Sequence, residues 1–360
     1  MQAPSPNEPL TPDAARWSAV AEWYHAYFTG LVMTMVTRKS SREAAELVFH
    51  IFRRQHTEKF LPGLTKLGLE GLPPAVAAAR YHYLSNAIGG VHVEYFEESP
   101  KKVWVRYPPP RWAWQGTAIC AIPGEVSRAV LRGWHAHNGV SLGSRRLGFV
   151  CTKQTMDGQP GLEGYYCEYE HDIEPEQRLV FARGVEMPPA DPALAPTLPT
   201  ADWPLERRQK ARRNYAMEYM RTGLQELVGL CGPVDAQYLG GVTARLIGMQ
   251  FHAATAQALG LADRGDAGQF ADFMVALAQA QGDAAERVAD IDGAPGVRQT
   301  SWKLMEGITD LHPAAFLAWN ELLVGALAAH NRFLDLVVTR RLDQGDGCFE
   351  WRIRPRDRAR

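Results

Sequence analysis

A surplus of charge is the first thing this sequence lacks. Lys and Arg number 39 against 40 Asp and Glu, for a formal net charge of -1. There is no bulk attraction toward nucleic acid or an anionic membrane, so neither is expected as a partner. The local basic run "RRQKARR" (Arg207 to Arg213) reads as a solvated helix face, because it carries no interleaved aromatic platform. No apolar run approaches the roughly 18 residues of a membrane helix. The opening "MQAPSPNEPLTPDAAR" has no apolar core, so it reads as a flexible Pro-rich arm rather than a secretory signal. Cysteine is sparse, five in all, an odd number without C-x-x-C spacing. That points away from a zinc site or disulfide framework and toward reduced thiols in a cytoplasm. G-x-G-x-x-G after a strand, the P-loop, H-E-x-x-H and G-x-S-x-G are all missing. Nucleotide-dependent and common hydrolase chemistries therefore lose support, and no cofactor is expected.

What is present fits an ordinary globular chain of 360 residues, 46% hydrophobic and 22% charged. Its one break in composition is "EMPPADPALAPTLPTADWP", Glu186 to Pro204, an expected linker or surface loop. It separates an N-terminal α+β unit (1–185) from a C-terminal one (205–360). In the first, helices are expected over 14–37, 41–60 and 74–88. Ser40 and Glu43 form a capping box, and Pro74 with Gly89-Gly90 brackets the third helix. "VHVEYFEESPKKVWVRY" alternates as a hairpin, and a helix follows from near Pro123 to His137. A second hairpin joins "RLGFVCTKQT" to "LEGYYCEYEHD". The second half reads as mainly helical, with helices over 205–230, 235–261, 268–280, near 302–308 and over 313–331. A closing hairpin ends it. The fold class is α+β, helix-rich units each closing with an antiparallel hairpin or small sheet. The halves echo each other: a Pro-initiated helix precedes a hairpin in both. A diverged duplication and a chance likeness are both compatible with that.

The densest chemistry is "GYYCEYEH". On a strand, Tyr165, Cys167, Tyr169 and His171 share one face; Tyr166, Glu168, Glu170 and Asp172 share the other. The plain expectation buries the first face and leaves the acids in solvent. Cys167 and His171 stand roughly 13 Å apart along a strand, too far for a nucleophile and its base. Glu168 and Glu170 could activate water if their face were covered. A turn centred near Gln159 would set Cys151 opposite Cys167, as two packed thiols or as a redox pair. "WHAHN" offers His135 and His137. They could share a metal only if the helix ends before them, since residues two apart on a helix diverge; otherwise they face a helix C-terminus. His92 and Glu94 share a strand face that is either a pocket wall or a polar stripe. Arg111 and Trp112, in "PPPRWAW", could hold a carboxylate against an aromatic wall or simply pack a surface loop. Trp134 completes the candidate binding residues.

The C-terminal "AWNELLVGALAAHNRFLDLVVTRRLDQGDGCFEWRIRP" resembles the end of 4-vinyl-reductase-type small-molecule-binding domains. The likeness rests on a helix, an antiparallel sheet and a G-[DN]-x-C-x-F-like strand, here "GDGCFEWRI" with Cys348 beside Phe349. It is also similar to the L-2-amino-thiazoline-4-carboxylic acid hydrolase-like family. The resemblance implies an α+β fold holding a small apolar or heterocyclic ligand. Two functions follow as expectations. One is an enzyme hydrolysing a small cyclic or amide-like compound, with Glu168 or Glu170 as base, a histidine as proton shuttle and Arg111 as anchor. The other is a non-catalytic small-molecule binder or sensor. The sequence leaves a homodimer open.

Overall fold

Four strand residues, paired across the sheet in the same order of charge, recur in each half of this chain. The structure, a computed structural model, describes residues 12–110, 113–198 and 201–356. Arg111 and Trp112 lie outside the described residues. The chain forms two units. The first is Met35–Ala211; the described part of the second is residues 12–34 and 212–356.

The first unit holds α2 (Ser41–Lys66), α3 (Pro74–Ile88), β1 (Glu94–Ser99), β2 (Lys102–Tyr107), α4 (Gly124–Gly133), α5 (Asn138–Ser141), β3 (Leu147–Lys153), β4 (Leu162–Glu168) and β5 (Leu179–Phe181). Ser40 caps α2 as expected, accepting the Glu43 N–H at 3.1 Å. The sheet runs β1-β2-β4-β3-β5, antiparallel apart from the β3–β5 pair. Ala75, Ala78 and Ala79 let α3 approach the inner face of the sheet closely, over Val103, Val105, Phe149 and Tyr166. Ala195 and Leu198, from the Pro-rich stretch, also pack against the clusters of this unit.

The second unit begins with most of α1 (Pro12–Arg38). It then holds α6 (Leu205–Ala258), whose first residues belong to the other unit, and α7 (Ala267–Gln281). β6 (Ala285–Ile291), β7 (Ala294–Gln299), α8 (Pro313–His330), β8 (Leu334–Arg340) and β9 (Phe349–Pro355) complete it. α6 is broken at Gly232, where φ is 76° before Pro233; the sequence placed a gap there between two helices. The sheet runs β6-β7-β9-β8. The β6–β7 hairpin is absent from the sequence expectation, which made this half helical up to its final hairpin. Its turn is Asp292-Gly293, both left-handed, the usual two-residue hairpin chemistry.

The fold is α+β, and it repeats. Both units run helix, hairpin, helix, hairpin, with the first strand pair joined to the second through its inner strands. The correspondence differs from the one the sequence suggested. α3 matches α7, and α4 matches the Pro-initiated α8. On the outer sheet face, Glu94 lies opposite Arg106, Arg106 opposite Glu163, and Glu163 opposite Lys153. In the second unit the same ladder reads Glu286, Arg298, Glu350, Arg340. A bulge falls at Thr152 in one and Thr339 in the other. Both hairpins then make a short helical turn closed by a left-handed glycine, Gly158 or Gly345. The side chain of the residue after that glycine accepts the N–H that opens the turn: Gln159 takes that of Gln154 in one, and Asp346 that of Arg341 in the other.

Glu163 and Glu350 anchor the ladders while buried. Glu163 accepts from Thr152 Oγ1 at 2.8 Å and Met187 N at 3.2 Å, with Lys153 Nζ at 3.6 Å. Glu350 is held by Arg298 at 3.0 Å and Arg352 at 2.8 Å. Glu350→Ala removes the carboxylate that holds Arg352 and one of the two beside Arg298, and should lower the midpoint of urea unfolding. The paired change Arg298→Met with Glu350→Leu should lower it less than Glu350→Ala alone, because the apolar pair fills the space that the carboxylate leaves.

Candidate functional site

The structure disperses the stretch that drew attention in the sequence. β4 ends at Glu168, so Glu170, His171 and Asp172 are not strand residues. Glu170 is exposed and pairs with Lys101 at 3.0 Å, and His171 is exposed. Glu168 accepts the Ala75 N–H at 3.3 Å, satisfying an open donor at the start of α3. The faces are also reversed from the plain expectation. Tyr166 is fully buried in the core, while Tyr165 and Cys167 are half-buried on the outer face. Burial raises the Cys167 thiol above its ordinary value, the wrong direction for a nucleophile. Cys151 faces Gly164, and Cys167 faces Gly148. The left-handed Gly158 moves the turn toward the N-terminus of the expected centre, so the two thiols are not opposed. His92 is exposed just before β1, and Glu94 is engaged by Arg106 at 2.7 Å.

The histidines that do meet are elsewhere, under the sheet. α4 ends at Gly133, and His135–His137 form a tight turn into α5. This brings Trp134, His135 and Asn138 against His56 of α2 and His82 of α3. Asn138 is the hub. Its Oδ1 lies 2.8 Å from His56 Nε2, and its Nδ2 lies 3.1 Å from His82 Nε2 and donates to Tyr166 OH at 2.8 Å. His82 Nδ1 meets Tyr107 OH at 3.0 Å. With the Asn138 amide in this orientation, His56 donates from Nε2 and His82 accepts at Nε2. His135 stacks on His82 with ring centroids 4.2 Å apart, and His137 packs edge-on to His56. The helix therefore ends where shared metal binding by His135 and His137 would require. Among the described residues, no three His, Cys, Asp or Glu side chains are grouped to hold an ion.

Burial sets the protonation of this cluster. It lowers His56 to about 3, against its hydrogen bond to Asn138, which raises it. It drives His82 well below its ordinary value, with His135 and His56 adding to the effect. His137 is lowered too, by burial and by Arg53. His56 and His82 are neutral at pH 7 and belong to a buried polar network with aromatic walls. His56 and His82 went unnoticed in the sequence because each sits alone on an apolar helix face. His56 lies four residues from both Phe52 and Phe60, and that placement is the signal that could have found it.

One cleft opens beside this network, at the end of β2. The loop that follows Tyr107 supplies Pro109, Pro110, Ala113, Trp114, Gly116 and Ile119 to its wall. Ser127 of α4 and Thr155 and Met156 of the turn after β3 complete it, around a volume of 170 Å³. Trp114 has a left-handed backbone, φ 64°, a conformation that costs a bulky residue roughly 1–3 kcal/mol and must be held by its surroundings. No described lining residue carries a carboxylate, imidazole or thiol. Two polar atoms here are buried with no hydrogen-bond partner among the described residues, Thr155 Oγ1 and the neighbouring Gln154 Oε1.

The neutral histidines predict acid lability. Their folded-state values lie below the unfolded value of about 6.5, so the unfolded chain binds more protons between the two. The stability they contribute is complete above about pH 6.5. It falls as pH drops toward the folded values, by at most about 1.4 kcal/mol per pH unit for each imidazole. Hydrogen exchange of α3 amides, converted to opening free energies at pH 7.5 and 5, should show this loss. His82→Gln should flatten the slope; an unchanged slope would assign the acid loss to other groups. Scans against protein-family models and searches of curated proteins and of solved structures gave no match to this chain.

Proposed function

We propose that this chain is a small-molecule-binding protein and that the cleft beside Tyr107 holds its ligand. The observation that carries this reading is the chemistry of the lining. Proline, tryptophan, isoleucine and methionine form the walls, and Thr155 Oγ1 is left with an unused hydrogen-bonding capacity. Buried polar groups without partners are costly, and a ligand atom placed there removes that cost. The volume of 170 Å³ matches a single ring: an enclosed cavity of about 150 Å³ accommodates benzene, whereas drug-sized ligands need roughly 300 Å³ or more. Binding of a small apolar or heterocyclic molecule is also what the resemblance to 4-vinyl-reductase-type domains implies.

The described lining holds no acid or base, which favours binding over hydrolysis. The enzymatic reading rests on a different observation. Tyr107 meets His82 Nδ1 and lies two residues before Pro109 of the cleft; with the Asn138 amide turned over, the other tautomer of His82 makes that nitrogen an acceptor for a proton passed through Tyr107. In that scheme His82 replaces Glu168 and Glu170, whose positions at a helix start and in solvent suit other tasks.

The test is incubation with a panel of neutral single-ring compounds, read by thermal unfolding and by mass spectrometry of the recovered compound. A true ligand at 100 times its Kd should stabilise the protein by about 2.7 kcal/mol and be recovered unchanged. Met156→Trp, which fills the cleft from the turn, should abolish the shift. Recovery of a hydrolysed product would favour the enzymatic reading. A shift that survives Met156→Trp would place the ligand outside this cleft.

A further inference from the structure

The repeat shows what kind of molecule the cleft accommodates, because the second unit fills the same position with its own side chains. In both units the turn after the third strand of the repeat touches the helix that precedes that strand. Around this spot, three matched positions differ in size. Ser127 is the fourth residue of α4, and Phe316 is the fourth residue of α8. Gln154 directly follows the ladder residue Lys153, and Arg341 directly follows its counterpart Arg340. Pro110 stands three residues beyond β2, and Trp302 three residues beyond β7.

In the second unit these three larger side chains close the space. The Phe316 ring stacks on Phe349, with centroids 4.6 Å apart and planes 14° from parallel. The Trp302 ring meets its edge at 6.0 Å. The Arg341 guanidinium lies over the ring, 4.4 Å from its centroid. The same guanidinium donates to Pro313 O at 3.3 Å and pairs with Asp343 at 2.5 Å. A flat ring is thus sandwiched, and a planar nitrogen group reaches the polar edge of the helix start. In the first unit the ring is replaced by the Ser127 hydroxymethyl group, the guanidinium by the shorter Gln154 amide and the indole by Pro110. A 170 Å³ cleft remains.

Resting on the binding reading above, we infer that the cleft takes an uncharged, monocyclic aromatic molecule bearing one N–H or O–H donor. The ring takes the place that Phe316 fills in the other unit. The donor meets Thr155 Oγ1, the buried lining oxygen left without a hydrogen-bond partner among the described residues. The ligand is uncharged because no described lining residue is ionised: Met156 stands where Asp343 does, and the neighbouring Asp157 is engaged by the Gln154 amide and by Arg183 at 3.5 Å. Desolvating a charge there without a partner would be unfavourable.

Titration calorimetry of the full chain with four probes tests this: benzamide, benzoate, benzamidine and cyclohexanecarboxamide. Benzamide should bind at least tenfold more tightly than each of the other three. Ser127→Phe should raise the melting temperature and weaken benzamide at least tenfold, and Ser127→Leu should weaken it to a lesser degree. If either charged probe or the cyclohexane analogue binds as tightly as benzamide, the inferred class is overturned while the cleft remains a binding site. If none of the four binds, the inferred class also falls. The wider panel and Met156→Trp then decide the fate of the binding reading separately. The probe series depends on no variant, so a Ser127→Phe protein that fails to fold leaves the inference open to refutation.

Discussion

The charged ladder across each sheet is the constraint on which the rest depends. In a strand, a one-residue slip turns every side chain to the opposite face. Glu163 is buried and placed among Thr152, Arg106 and Lys153, so a slipped register would leave a carboxylate in the interior without its partners. That penalty, several kcal/mol for a buried charge, fixes which residues of β2 and β4 look inward. Tyr107 and Tyr166 reach the histidines because Arg106 and Glu163 have been committed to the other side. The more exposed pair, Glu94 with Arg106, adds little by itself; the value of the ladder lies in excluding alternative pairings.

Much of the fold was legible in local chemistry. Ser40 with Glu43, and Pro74 with Gly89, bracket helices by rules that act within a few residues. The break in α6 was visible as Gly232-Pro233. The β6–β7 hairpin was missed although Asp292-Gly293 signals it, because "AERVADI" is as compatible with a helix by composition as with a strand. The register of β3 against β4 was misjudged for a physical reason. Gly158 takes the left-handed position and Thr152 bulges, and neither is fixed by a turn centred near Gln159.

The site was less legible, because proximity in sequence is a poor guide to proximity in space. "GYYCEYEH" concentrates reactive groups along an edge, and the fold spends them on a helix cap, a solvent pair and an outer face. The buried cluster draws single residues from α2, α3, β2, β4 and the turn after α4. Each of them alone reads as a core residue. Asn138 carries the largest share of that network and was noticed only as a neighbour of two histidines. The cleft has the same character: it is defined by small residues at three separated positions, and its outline emerges from comparison with the unit in which those positions are large.

The placement of α1 has a consequence for the order in which the chain acquires structure. Tyr24 and Tyr27 are buried, and their partners Trp319 and Gly240 lie more than 200 residues later. During synthesis, the whole of the first unit emerges before α1 can meet any of them. For that interval the aromatic face of an early helix waits unsheltered while the neighbouring sheet can already close. The chain is then slow to complete in its second unit rather than its first, since distant contacts carry the larger loop-closure cost. The same separation means that a C-terminal half released by cleavage after the Pro-rich stretch would lack a helix that its core needs.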